Sequence, residues 1–282
     1  MNVGVAVTDS RSTALPTWEI GHMAGGLRLD FDNLPLVEAA VRATFREPVK
    51  LKFSAISEIH AQLRTSFPQV SEPQGYELAP GVNKEEVKIS PGHITGVVFD
   101  GHSKGLRSTL QNRLAVVRWR KQFVGDSPTY PRFSTLQSAL WQLIDAVKST
   151  YGLKSLPCAV VNVSYVNFLA VIDFSSVLRD YFSSKMQVEA TDGAEEVRKL
   201  EVSWRENGID LRFRLEKITA TLGEDVIDGC QLTTIAGMHI PDTDNDAKAA
   251  IDIVHARLQE FFRDAISQRA KDEWQLTEVP NG

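Results

Sequence analysis

Residues 97–109 read VVFDGHSKGLRST, and within them Gly101-His102-Ser103-Lys104-Gly105 matches G-x-S-x-G. A serine hydrolase uses that spacing to hold its nucleophile on a strained turn between a strand and a helix. The order of groups along the chain is also that of an acyl-transfer triad. Ser103 precedes Asp173, His239 and His255, and His22-Met23-Ala24-Gly25-Gly26 has the composition of an oxyanion loop. The neighbouring residues point elsewhere. Asp100-Gly101 is a hairpin-turn pair, and strand-like runs flank it without the long helices that an elbow requires. After Gly105 the signal is mixed: Leu106, Leu110 and Leu114 recur at helical spacing, while RLAVVRW (113–119) reads as strand. Ser103 is expected to be a turn residue.

Metal chemistry has one candidate. In HIPDTDNDAK (239–248) the carboxylates Asp242, Asp244 and Asp246 alternate. A calcium loop of the EF-hand type wants Gly at its sixth position and Glu at its twelfth, and here Ala247 and Ile253 stand there. The stretch reads instead as an acidic helix start, where carboxylates meet the positive end of the helix dipole. The histidines His22, His60, His93, His102, His239 and His255 form no H-E-x-x-H or close pair. No Walker A loop and no strand-following G-x-G-x-x-G are present, and Pro241-Asp242 with Asp246-Ala247-Lys248 is too compressed for a nuclease site. Cys158 and Cys230 are far apart, which gives neither a disulfide framework nor a zinc knuckle. No metal and no cofactor are expected.

One constellation remains. Arg118 and Arg120 alternate with Val117 and Trp119, and Arg212 and Arg214 alternate with Leu211, Phe213 and Leu215. Strand geometry puts each arginine pair on one face and the apolar residues on the other. A shared face would suit carboxylate or phosphate recognition, because guanidinium binds two oxygens at once. Pairing with Glu201, Asp210 and Glu216 on a solvated face is the alternative.

The elements that would position these groups follow from periodicity. Helices are predicted at 54–67, stopped by Pro68; at 134–151, with a Ser134–Gln137 capping box and Gly152 as C-terminal stop; at 173–183, capped by Asp173; and at 246–266, capped by Asp246. Strands are predicted at 37–45, 93–99, 113–123, 157–168, 197–204, 209–218 and 232–240, with Asn207-Gly208 as the strongest hairpin signal. Loops are expected at 70–92, 124–132, 185–196 and 221–229. The order of elements repeats: strand, helix, three strands, long helix in residues 1–152 behind an N-terminal extension, and again in 153–282. The fold class is therefore α+β, two pseudo-repeated halves around antiparallel sheet with long amphipathic helices packed on it.

The chain has 282 residues, 43% hydrophobic and 24% charged, with a net charge of −5. Those are globular values, and the negative charge disfavours nucleic acid and anionic membrane. The N-terminus lacks a signal-peptide pattern, since Asp9 and Arg11 interrupt it, and no apolar stretch is long enough to cross a bilayer. A cytoplasmic location is expected.

Four stretches together resemble a known family: NLPLVEAAVRATF (33–45), YPRFSTLQSALWQLIDAV (130–147), VVNVSYVNFLAV (160–171) and HARLQEFFRDAISQRAKDEW (255–274). They resemble a sporadically distributed bacterial TIGR family of uncharacterised proteins of about this length. In that family an arginine usually precedes the Tyr-x-Asn written here as Tyr165-Val166-Asn167, whereas Asn162 and Ser164 stand in that region of this chain. The resemblance implies an accessory, defence-related role. Tyr165 and Asn167 alternate onto one sheet face and are candidate binding residues at the joint between halves. The function expected is a non-catalytic interaction protein with a protein partner. The alternatives are an enzyme with a scattered site, or a binder of anionic ligand or nucleic acid through the arginine face.

Overall fold

A computed structural model describes residues 27–31, 35–71, 96–103, 105–121, 130–171, 173–183, 186, 199–222, 225–241 and 246–280. Nine strands form one antiparallel sheet: β2 (Leu36–Phe45), β3 (Gln69–Ser71), β4 (Gly96–Asp100), β5 (Leu106–Gln111), β6 (Leu114–Arg120), β7 (Cys158–Leu169), β8 (Lys199–Glu206), β9 (Ile209–Leu222) and β10 (Asp225–His239). Their order across the sheet is β3-β4-β5-β6-β2-β7-β10-β9-β8. Two short strands, β1 (Leu27–Phe31) and β11 (Leu276–Pro280), pair separately. The class is α+β, as the alternation of strand runs and amphipathic helices implies. The two element runs that the sequence separates near residue 152 share a single sheet, joined where β2 pairs with β7.

One face of the sheet carries all the described helices. These are α1 (Phe53–Leu63), α2 (Phe133–Tyr151), α3 (Phe174–Tyr181), α4 (Ala247–Ala265) and α5 (Gln268–Glu273). Helix α2 lies on β6 and β2, and α4 lies on β7 and β10. Inward residues of those strands, Val41, Val117 and Val163, form one core with Leu140 and Leu143 of α2 and Val254 and Leu258 of α4. Burying each such side chain contributes about 1.5–3 kcal/mol. A second core gathers Phe213, Leu215 and Leu232 of the sheet against Val177, Phe182 and Phe262. Ala40, Leu114 and Val116 form a small cluster of their own. They alternate with the core residues and therefore lie on the opposite face.

Several local expectations hold for their stated reasons. Asp173 and Asp246 cap α3 and α4, accepting hydrogen bonds from the backbone N–H of Ser175 and Ala249. Gly152 ends α2 in the left-handed region at φ 62°. Asn207 and Gly208, at φ 51° and 78°, turn β8 into β9 in the geometry that suits a twisted hairpin.

Others need correction. Helix α2 starts at Phe133 with Arg132 at the cap position and no side-chain cap, so the Ser134–Gln137 box does not form. Helix α1 ends at Leu63, because the chain turns there to seat Phe67 in the core. The 221–229 loop is mostly strand: β9 and β10 continue as a long hairpin, with Thr221 paired to Val226 and Thr219 to Asp228. The ribbon is exposed there, with Val226 70% exposed. Residues 106–111 are strand β5, and the leucines at helical spacing there are Leu110 and Leu114 on opposite sheet faces and Leu106 at the strand start.

Candidate functional site

The arginines converge. Strand pairing sets residues level with one another across a sheet, and level residues share a face. One row runs from Arg118 through Ala40, Ser164 and Ile235 to Arg212. The next runs from Arg120 through Glu38, Val166 and Thr233 to Arg214. All four arginines therefore stand on the face opposite the helices. A bulge in β2 between Leu36 and Glu38 makes this possible: it turns Leu36 into the core while Glu38 stays level with Arg120. The two arginine pairs lie four strands apart, about 19 Å. Between them Ala40, Ser164, Ile235, Val166 and Thr233 form an uncharged strip beside Glu38, in which Ala40 and Ser164 are buried.

Each arginine also meets a carboxylate. Arg118 Nε lies 3.1 Å from Glu38, and Arg120 donates to the same carboxylate at 2.7 Å. Arg212 lies 3.7 Å from Glu201, and Arg214 pairs with Glu216. The Glu201 carboxyl is held below the usual range, first by its hydrogen bond from Lys199. Arg107 with Asp100 and Arg205 with Asp210 extend the pattern to both ends of the face. Asp210 is thus the partner of Arg205 and not of the predicted arginines. Arg42, on the same face, donates to the Ser164 hydroxyl at 2.7 Å. The surface is a mosaic of both signs. It carries the cations Arg42, Arg107, Arg118, Arg120, Lys199, Arg205, Arg212 and Arg214 beside the carboxylates Glu38, Asp100, Glu201, Asp210 and Glu216. That balance is positive on a chain whose net charge is −5.

Tyr165 and Asn167 occupy the other face, on β7 beneath the helices. Tyr165 pairs across to Ala39 on one side and Thr234 on the other. Its ring stands 6.5 Å from Tyr130 and 6.2 Å from His255 of α4. Trp119 meets Tyr130 edge-on at 5.4 Å, and Phe133, the first residue of α2, stacks on His255 at 3.5 Å. The rim of this cluster, Tyr130, Phe133, Tyr165 and His255, is half-buried, while its floor of Trp119, Asn167 and Thr234 is buried. Burial pushes the Tyr130 phenol up to about 12 and raises Tyr165 well above its ordinary value. It pushes His255 down to about 3, so the imidazole is neutral near pH 7. The Tyr130 and Tyr165 hydroxyls act on each other's ionisation, yet Tyr130 makes no hydrogen bond of ordinary geometry among the described residues.

Nucleophilic chemistry finds no support in this arrangement. Ser103 is exposed in the loop of the β4–β5 hairpin, where its carbonyl accepts from Leu106 N–H at 2.9 Å. Asp173 caps α3 near the far end of the sheet, and His255 is packed between α2 and β7. Those three groups do not come together. Cys158 and Cys230 are buried, and burial raises both thiols, Cys158 to about 11. Residues 22–26, Lys104, and 242–245 with Asp242 and Asp244 lie outside the described residues; Asp246 is the α4 cap. Among the described residues no group of three His, Cys, Asp or Glu is placed to hold a metal ion. None of the described helices is long and apolar enough to cross a membrane.

Sequence reasoning missed Glu38, which organises Arg118 and Arg120, and the aromatic cluster around Tyr165. Alternation on 37–45 places Glu38 and Arg42 on one face, a signal available in the strand itself. No periodicity links Tyr130, in a loop, to His255 on a distant helix. A comparison of the chain with protein-family models and with curated proteins finds no match.

Proposed function

We propose that this chain is an interaction protein whose sheet face opposite the helices docks a protein partner that presents carboxylates within a surface of alternating charge. The observation that carries the reading is the convergence of Arg118, Arg120, Arg212 and Arg214 on one face. The mosaic of signs favours a protein over a nucleic acid. A polyanion would have to displace a carboxylate at each arginine, whereas a partner surface with its own alternating charges exchanges one ion pair for another. The net charge of −5 adds long-range repulsion against polyanions.

The two element runs, on this reading, are a duplicated unit. The strand that opens each run, β2 or β7, lies at the sheet centre and pairs with the last strand of its own meander, β6 or β10. Docking over the joint then engages arginines from both units, on β6 of one and β9 of the other. The resemblance to a sporadically distributed bacterial family adds an accessory, defence-related setting to this proposal.

A photo-crosslinker attached to a cysteine at exposed Ser203, level with Arg212, tests the reading; the native cysteines are buried. The same label on exposed Ser138 of α2 is the control. In extract of the native host the Ser203 label should capture an acidic protein that the Ser138 label does not. Equal capture from both positions, or capture of nucleic acid from Ser203, would overturn it.

A further inference from the structure

The polar atoms beneath the helices are arranged in a way that the docking face leaves unexplained. Trp119 Nε1, both polar atoms of the Asn167 amide, Thr234 Oγ1 and His255 Nε2 are buried without a hydrogen-bond partner among the described residues. Leaving such a group unsatisfied forfeits its hydration without replacing it, and native interiors hold only a few per hundred residues. Here they come from β6, β7, β10 and α4, and they gather around one ring, Tyr165. Asn167 and Thr234 flank it within the sheet. Tyr130 and His255 stand over it, and Trp119 lies behind Tyr130. The rim keeps partial access to solvent while the floor does not, Asn167 being 1% and Thr234 0% exposed.

We propose that this floor and rim form a binding site for a small, planar, uncharged heterocycle with hydrogen-bond donors and acceptors along its edge, of the nucleobase type. The walls are aromatic, which suits a flat ring. The floor offers donors in Trp119 Nε1–H and the Asn167 amide, an acceptor in the same amide, and a hydroxyl of either kind in Thr234. No charged side chain is among the seven that build the site, so an ion would enter without compensation for its lost hydration. His255, kept neutral by its surroundings, fits that polarity. Arg132 acts on the Tyr130 phenol and is itself exposed, so charge is tolerated at the mouth and not on the floor.

The test measures thermal shift and tryptophan fluorescence of the full chain against adenine, uracil and nicotinamide, with toluene as a flat ring lacking polar edges. At least one heterocycle should give a saturable response, and toluene none. Asn167→Leu and Thr234→Val delete floor atoms at nearly constant shape. Each should be at least as stable as the parent, because an unpaired buried group is gone, and each should weaken binding about tenfold, the equivalent of one lost hydrogen bond. Three results would overturn the proposal: no saturable response to any heterocycle, a response undiminished in both variants, or a melting temperature lowered in both variants. The last would show that these atoms are satisfied by the native packing.

Discussion

Phe133 lies flat on His255, ring centroids 3.5 Å apart and planes inclined by 9°. The first residue of α2 thereby shields an imidazole on α4, and burial lowers the pKa of that imidazole from 6.5 to about 3. The pH dependence of stability follows by linkage. In the unfolded chain His255 takes up a proton below about pH 6.5, while in the folded chain it does so only near pH 3. The unfolded state therefore binds more protons in that window, and stability falls as pH falls through it, by about 1.4 kcal/mol per unit. His255→Phe keeps the stack and removes the titration. Urea denaturation from pH 7 to pH 4 should show a shallower acid loss in the variant; parallel curves would contradict the burial of the imidazole.

The Ser103 hairpin makes a second expectation. Ser103→Ala should leave stability unchanged, and an esterase screen should give the same result for parent and variant. Gly105 is different. It sits at φ 85°, and a Cβ there would stand 2.1 Å from the Arg120 carbonyl. Gly105→Ala should lower the melting temperature clearly, and an unshifted melt would mean that β5 and β6 do not approach as described.

Core packing separates two residues that look alike in sequence. Leu140 of α2 is fully buried, so Leu140→Ala should cost about 2–5 kcal/mol in chemical denaturation. Phe261 of α4 is half-buried, resting on Trp204 at 5.1 Å, and Phe262 is its buried neighbour. Phe261→Ala should cost less than Leu140→Ala. The reverse order would misplace α4 by rotation about its axis.

These cases show what periodicity encodes. Helices and strands with one wet face, such as 134–151 and 209–218, are legible because burial selects every second or every third to fourth residue. The arginine face was legible for the same reason, since Arg118 and Arg212 alternate with core residues. What alternation does not contain is register. That Ala40, Ser164 and Ile235 lie level with both arginines depends on strand order, and on a bulge at residue 37 that shifts no composition. The Tyr165 cluster was half legible: Tyr165 and Asn167 share a face by spacing, whereas Tyr130 and His255 reach them through helix packing. The long β9–β10 ribbon is not legible because Gly223-Glu224-Asp225 and Asp228-Gly229 have the composition of a loop.

Glu38 offers a prediction about the docking face itself. It holds both Arg118 and Arg120, so an incoming carboxylate competes with it. Glu38→Gln keeps the shape and removes the competitor's charge. A polyglutamate peptide should bind the variant more tightly than the parent, with the difference shrinking as salt rises. Equal affinity at low salt would mean that these two arginines take no part.

The most direct test of the docking face is charge reversal on both sides of its central strip. Arg120→Glu with Arg212→Glu changes two exposed side chains about 20 Å apart and should leave the circular dichroism spectrum and melting temperature close to those of the parent. The binding isotherm for the acidic partner captured at Ser203, measured at low salt, decides the matter. The account predicts that the reversed variant loses that binding while it stays folded. Binding at parental affinity in a folded variant would contradict it.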